Sequence, residues 1–345
     1  MQWPVLGLTR FFLAVVVASS HLAWYTFPED PSRVIGTLSG LVAVLGFLVI
    51  SGFSIAASYA RDESEFYYRR MLRILPQYVL LTAGSAALRI MLWRSHFASL
   101  QVPHEPTYPQ LFLNLCFAQG FIADSIVTNP MVWSLSLEVF FYACTPLLAR
   151  CSSRVLLGMG CVGAVSYVFT ARFYTFHYPD LLWGLNVVLL GWTWILGFWA
   201  YRAKGRAIEV AWVIGLVALT LNHEGMENLW MVTWTIPLLA IKFGPRLRWR
   251  ERPASLFLLL GDISYPLYLV HYPLYLAMIG FQLAGNGTQL LIWALAAATL
   301  LDRLYDRPVK RLINRLRVRL QSDGPVRQRN FLPADMASQL SAGKD

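Results

Sequence analysis

The chain has 345 residues, of which 57% are hydrophobic and 14% are charged, and its formal net charge is +10. A soluble globular domain carries about 25% charged residues, so this composition excludes an ordinary soluble enzyme and indicates an α-helical protein that crosses a membrane several times. The positive charge does not indicate nucleic-acid binding, because the basic residues are distributed as membrane topology requires.

Ten hydrophobic stretches are long enough to cross a bilayer. We expect them at residues 8–27, 34–59, 74–93, 131–149, 154–171, 180–201, 207–222, 228–242, 255–280 and 288–305. With a cytoplasmic N-terminus, the alternation of loops places 25 of the 29 lysines and arginines on the cytoplasmic side. Cytoplasmic loops are enriched in these residues. The sequence therefore predicts an all-α polytopic membrane protein of about ten transmembrane helices with both termini in the cytoplasm.

Two segments lie outside this pattern. The outer loop 94–130 contains a short apolar run, Leu111 to Ile122, which is too short to span a membrane. From Asp306 the chain reads DRPVKRLINRLRVRL, which predicts a basic helix suited to anionic headgroups, and beyond Gln321 its composition predicts disorder. We therefore divide the chain into a transmembrane domain over residues 1–305 and a basic cytoplasmic tail over residues 306–345, partly disordered.

The first stretch carries two polar groups, Arg10 and His21. Eleven residues separate them, which is almost three helical turns, so both project from one face about 16 Å apart along the axis. Considered alone, an arginine in the position of Arg10 is more often an anchor to the headgroups than a functional residue. A histidine in the position of His21 is as often a packing residue as a functional one. Since neither group faces lipid without a cost, their shared face is expected to line a helix bundle or a wet cavity.

Arg70 and Arg73 stand one turn apart on a predicted helix. They are either topology anchors, which any such protein needs, or a clamp for phosphate oxygens.

Glu138 lies about two turns inside the fourth stretch, where an unpartnered carboxylate is costly, so it is a functional candidate. The four cysteines, Cys116, Cys144, Cys151 and Cys161, show no metal-binding spacing, and we expect no metal site.

The ninth stretch carries a polar stripe on an otherwise apolar helix, formed by Ser264, Tyr268 and His271 at spacings of four and three. Counted from the outer ends of their stretches, His21, Glu138 and His271 all lie roughly 9–14 Å below the outer surface. Three titratable groups at one depth predict a site near the outer side. The arginines predict a basic entrance on the inner side.

Six motifs follow one another along the chain: R-x10-H (Arg10, His21), FLVISGF (Phe47–Phe53), YYRRMLRILP with its R-x-x-R (Arg70, Arg73), WSLSLEVFFY (Trp133–Tyr142), ISYPLYLVHYP (Ile263–Pro273) and YDRP (Tyr305–Pro308). In this order they resemble the acyltransferase-3 family, the integral-membrane O-acyltransferases that modify surface polysaccharides, peptidoglycan, signalling oligosaccharides and some antibiotics. The resemblance covers almost the whole chain. The closing YDRP motif has Asp306 where the family more often has Glu.

The resemblance implies an enzyme of the bacterial inner membrane that moves an acyl group, most often acetyl, from cytoplasmic acyl-CoA to a glycan hydroxyl. Acyl-CoA would be a co-substrate, with no permanently bound cofactor. On this basis His21 is a general base or a transient acyl carrier, and Glu138 orients it. The expected donor-binding residues are Arg10, Arg70 and Arg73, and the expected acceptor or oxyanion residues are His271, Tyr268, Ser264 and Trp133.

Two alternatives to an enzyme stay open from the residues alone. Intramembrane His, Glu and Arg side chains also form the proton or substrate relays of secondary transporters, and a flippase for a saccharide would use similar groups. The sequence shows neither an inverted repeat nor a pair of broken helices, which are typical of such transporters. Consumption of a thioester with release of free thiol separates an enzyme from both alternatives.

Overall fold

A computed structural model describes residues 3–22, 30–94, 107–174, 178–204, 206–222, 229–247, 251–283 and 285–322. Within these residues the structure is helical, and its single β feature is an isolated bridge between Gln119 and Ala123. The tail segment for which the sequence predicts disorder lies outside the described residues.

Thirteen α-helices are described, and one of them lies at each of the ten predicted stretches. They are α1 (Pro4–Leu22), α2 (Ser32–Gly36), α3 (Gly40–Arg61), α4 (Phe66–Arg94), α5 (Tyr108–Leu115), α6 (Trp133–Arg150), α7 (Ser153–Phe173), α8 (Leu185–Ala203), α9 (Ala207–Leu221), α10 (Trp230–Phe243), α11 (Glu251–Gly280), α12 (Gly287–Leu300) and α13 (Arg307–Ser322). Among the described residues, six regions are long and apolar enough to cross a membrane, namely those of α1, α3, α4, α6, α7 and α11. The all-α membrane class is therefore confirmed, while the ten crossings and the cytoplasmic termini stay predictions.

Two predicted boundaries are wrong for local reasons. The second stretch does not run continuously from residue 34, because Ser39 has a positive φ of 67° and its side chain caps α3 by accepting a hydrogen bond from the Val42 backbone N–H. Helix α4 begins at Phe66, eight residues earlier than predicted, and continues through Pro76. Its first turns therefore carry Arg70 and Arg73 on a regular helix, as the sequence suggested.

The segment that precedes α6, for which the sequence predicts an outer location, is ordered by buried polar groups. Helix α5 is capped by Thr107, whose side chain accepts from the Gln110 backbone N–H. The fully buried Asn114 donates to the backbone carbonyls of Gln110 and Asp124. Helix α5 contains the first five residues of the predicted apolar run, and turns follow it, which agrees with the run being too short to span.

Helices pack closely where glycine replaces a side chain. A Cβ atom on Gly52 of α3 would overlap the backbone carbonyl of Trp194 in α8, and one on Gly197 of α8 would overlap the carbonyl of Val49. Gly7 of α1 and Gly261 of α11 form a similar backbone contact. Small residues at such points are the usual means of close helix packing in membranes. They bring α3 against α8 and α1 against α11.

We predict that Gly52→Ala lowers the free energy of unfolding by about 1–3 kcal/mol, because the new methyl group meets backbone that cannot move aside. The matched control is Gly84→Ala in α4, where a Cβ atom meets nothing within 4 Å. That change should be neutral or stabilising by about 0.5–1 kcal/mol. Thermal unfolding of the two purified variants in one detergent measures the difference, and equal stability would refute the described α3–α8 contact.

Candidate active site

A cavity of about 420 Å³ opens at the end of the bundle that the sequence predicts to face the cytoplasm. Basic side chains dominate its charged lining, and we call it the basic cavity. Charges of one sign in a cleft raise the local concentration of ligands of the opposite sign. The cavity is therefore suited to a polyanionic ligand. Its charged lining residues are Arg10, Arg61, Arg70, Arg73, Arg307, Lys310, Asp262, Asp302 and Asp306.

Two serines of α3 hold two of the predicted arginines in this lining. The Arg10 guanidinium donates to Ser54 Oγ over 2.7 Å, and the Arg70 guanidinium donates to Ser58 Oγ over 2.8 Å. Because the two serines are four residues apart, they lie on one face of α3 and place both guanidinium groups at the same wall. Arg73 joins them in the lining. The three residues predicted to bind a donor thus meet in one cavity.

The rim of the basic cavity is formed by the segment Leu301–Asp306, a π-helical stretch, and the start of α13. Arg307 donates to Asp302 over 2.7 Å and to Asp262 over 3.3 Å, and Lys310 donates to Asp306 over 2.5 Å. Burial raises the pKa of the Asp306 carboxyl, and the hydrogen bond from Lys310 opposes this rise. These ion pairs hold two further cations at the mouth.

A smaller cavity of about 90 Å³ continues inward from the basic cavity, with which it shares Arg10, Arg70 and Arg73. We call it the inner pocket. Three more of the predicted site residues line it, namely Glu138, Ser264 and Tyr268. Ser264 donates to the Gly261 carbonyl of its own helix, and the Tyr268 hydroxyl lies 2.7 Å from Ser134 Oγ.

The Glu138 carboxylate lines this pocket and is bonded to α3 and to its own helix. Its Oε1 accepts from Ser51 Oγ over 2.7 Å and from the Tyr142 hydroxyl over 2.6 Å. These bonds direct it toward α3 and the arginines. The predicted contact with His21 is absent from the described hydrogen bonds of this carboxylate. Depth along a helix axis places a residue at a level but does not fix the direction in which it points.

His21 and His271 form a direct pair between α1 and α11. His21 Nδ1 lies 3.1 Å from His271 Nε2, and the two rings stack with centroids 5.2 Å apart. His271 is fully buried, and His21 is 9% exposed. The Tyr268 ring, which lines the inner pocket, lies 6.3 Å from the His271 ring between centroids. The predicted meeting of the two histidines is therefore observed, one aromatic side chain away from the inner pocket.

A family model described as an acyltransferase domain matches residues 4–301 of the chain. The chain belongs to the acyltransferase-3 family. Comparisons with curated proteins and with solved structures found no match. The match contains the inner pocket, the histidine pair and the arginines Arg10, Arg70 and Arg73, whereas the rim residues from Asp302 to Lys310 follow its last residue.

The hydrogen bonds of the acyltransferase histidines define their tautomers when both rings are neutral. His271 Nδ1 lies 3.0 Å from the Leu267 carbonyl, which only accepts, so this nitrogen carries a proton. His271 Nε2 is then the acceptor, and His21 Nδ1 donates to it. His21 Nε2 consequently carries a lone pair. The imidazole of His271 is thus the hydrogen-bond acceptor that the structure places against the His21 ring.

Trp133 lies elsewhere in the acyltransferase. Its ring stacks on Tyr178 with centroids 5.8 Å apart, it is 4% exposed, and it belongs to the apolar core. It appears in the lining of neither cavity. The prediction that Trp133 contacts an acceptor rested on its place in the WSLSLEVFFY motif rather than on a helical face, and it stays a prediction.

Sequence reasoning missed the charges at the rim. Asp302, Asp306 and Lys310 follow one another at spacings of four, which is the spacing of neighbours on one helix face. This spacing was visible in the sequence. The ion pair between Arg307 and Asp262 could be assigned only from the tertiary structure. Ser51, Ser54 and Ser58 were also missed as ligands of charged groups, because serines of a membrane helix usually pack against neighbours.

Proposed function

We propose that the protein transfers an acyl group, acetyl in the simplest case, from cytoplasmic acyl-CoA to a hydroxyl of an extracytoplasmic or membrane-presented glycan. The proposal is supported chiefly by the order in which the charged, polar and titratable groups follow one another from the basic cavity into the bundle. A basic cavity with three arginines leads to a narrower pocket, and the pocket ends beside a tyrosine that packs on a buried histidine pair. This order matches the parts of an acyl-CoA.

The donor's phosphates would occupy the basic cavity. Arginine presents a planar fork of donors that matches phosphate oxygens, and Arg10, Arg70 and Arg73 surround one space. The change from about 420 Å³ to about 90 Å³ supports a bulky charged head in the outer cavity and a slender pantetheine arm in the inner pocket. The thioester would then reach the level of Tyr268.

His21 would act as the general base. Its Nε2 would remove the proton of the acceptor hydroxyl, whose oxygen attacks the thioester carbonyl. The tetrahedral intermediate then expels the CoA thiolate, which takes the proton from the imidazolium. His271 would be a positioning residue, because its Nε2 fixes the His21 ring and stabilises the imidazolium, as a carboxylate does in hydrolase triads.

The hydroxyl groups of Tyr268 and Ser134 would stabilise the developing oxyanion of the tetrahedral intermediate. They lie 2.7 Å apart at the inner pocket, where buried donors act more strongly than in water. Glu138 would serve the donor side, since its carboxylate shares the pocket with Arg10 and Arg70. A negative charge at this point compensates the arginines while the donor is absent.

We predict that Arg70→Ala and Arg73→Ala each weaken acyl-CoA binding by about tenfold or more, because a hydrogen bond to a charged group contributes about 1.5–3 kcal/mol. Lysine at either position should rescue binding only in part, since it lacks the planar fork. Titration calorimetry on the purified variants measures the dissociation constants.

The matched control is Arg69→Ala. Arg69 is adjacent in sequence but pairs with Asp62 over 2.6 Å and lines neither cavity. Its loss should leave donor binding nearly unchanged. If all three alanine variants fold and bind acyl-CoA like the parent, the two cavity arginines are topology anchors and the donor site is misplaced.

We predict that His21→Ala lowers the turnover number by about 10²–10⁴, the usual contribution of a general base, while acyl-CoA binding is retained because the phosphates are held at the other end of α1. Release of free thiol in the presence of a hydroxyl acceptor measures turnover. Acyl-CoA binding to the same preparation reports that the variant is folded. Full turnover in folded His21→Ala protein would exclude the catalytic role, and the absence of thiol release by the parent enzyme with any glycan acceptor would favour a transporter.

A further inference from the structure

Helix α13 follows the rim of the basic cavity and is held against the protein along one face. The Asn314 side-chain oxygen accepts from the Tyr68 hydroxyl over 2.7 Å. The Arg317 guanidinium donates to both oxygens of Glu65 over 2.5 and 2.6 Å and lies 3.9 Å above the Tyr68 ring. The hydrogen bonds from Arg317 lower the pKa of Glu65, which keeps this carboxylate charged. The helix is therefore fixed beside the start of α4.

A second face of α13 is apolar and exposed. Leu312, Leu316 and Leu320 recur every four residues and are 55%, 47% and 75% exposed. At 100° per residue this stripe is centred about 130° from the face that carries Asn314 and Arg317. An exposed leucine row of this kind is uncommon on a surface that faces water and marks an interaction site.

A third face of α13 is basic. Arg311, Arg315 and Arg319 also recur every four residues, and all three are exposed. Their stripe is centred about 100° from the leucine stripe, on the side away from the protein. Three arginines next to an exposed apolar row are complementary to a surface that is apolar below and negatively charged at its edge. An anionic lipid leaflet has this arrangement.

We propose that α13 lies flat in the surface of the leaflet on the side of the basic cavity, with Leu312, Leu316 and Leu320 in the acyl boundary and Arg311, Arg315 and Arg319 on anionic headgroups. The protein then borders the helix on one side, lipid lies beneath it, and the arginines face the headgroups on the other side. Val318, which is 64% exposed, points away from the membrane in this orientation.

The position of the helix links the membrane to the cavity. Arg307 and Lys310 belong to the first turn of α13, and both line the basic cavity. A helix fixed in the leaflet therefore fixes one wall of that cavity. The inference concerns a lipid surface and does not depend on which reaction the site performs.

The test compares two labelled positions on the full-length protein. Leu316→Cys and Val318→Cys are made separately in a background in which the four free cysteines are replaced by serine, and each is labelled with an environment-sensitive fluorophore. In nanodiscs of phosphatidylcholine and phosphatidylglycerol, the label at position 316 should emit at shorter wavelength and be quenched several-fold more by doxyl lipids than the label at position 318. A second preparation carries Arg311→Gln, Arg315→Gln and Arg319→Gln together with the label at 316.

The charged part of the proposal predicts that the shift at position 316 weakens in phosphatidylcholine alone and in the triple glutamine variant. Inorganic phosphate added to the detergent-solubilised protein should leave the emission unchanged, because a free anion supplies no apolar phase. Equal iodide quenching of the two labels in anionic nanodiscs would overturn the proposal. A shift at 316 that is the same in both lipids and unaffected by the triple change would overturn the assignment to anionic lipid.

Discussion

The contact between α1 and α11 is the constraint on which the site depends. Gly7 and Gly261 bring the two backbones together near one end, and the His21–His271 hydrogen bond joins them near the other. Helix α1 carries Arg10 in addition to His21, and α11 carries Tyr268 in addition to His271. One packed helix pair therefore supplies groups to the basic cavity, the inner pocket and the histidine pair. A small shift between these helices would separate the two ends of the proposed donor path.

The free-energy cost of removing a charged group from water explains why the arginines and acids lie where they do. A guanidinium group that is removed from water needs hydrogen-bond acceptors and a nearby negative charge. Ser54 and Ser58 supply acceptors, and Glu138 supplies charge in the inner pocket. At the rim, Arg307 and Lys310 are held by carboxylates. The compensation is incomplete in the cavity itself, where cations outnumber acids, and this surplus is what suits it to an anionic ligand.

The features that the sequence predicted are those that follow from position along a helix. Hydropathy predicted the positions of the helices, and equal depth along their axes predicted that His21 and His271 meet. The spacing of one turn on α4 predicted that Arg70 and Arg73 lie together, and both line the basic cavity. Direction around the axis was not accessible from a single stretch, so the sequence did not predict that Glu138 bonds to Ser51 or that Trp133 stacks on Tyr178. The tautomer of His21 depends on the Leu267 carbonyl, a contact that only the folded chain defines.

The most direct test of the account is a cryo-electron microscopy structure of the protein in nanodiscs with an acyl-CoA analogue whose thioester is replaced by a thioether. We predict that the phosphates contact Arg10, Arg70 and Arg73 in the basic cavity, and that the sulfur lies past Glu138, next to Tyr268 and within reach of His21. An analogue bound at the opposite end of the bundle, or one whose acyl end leaves the histidine pair untouched, would contradict it.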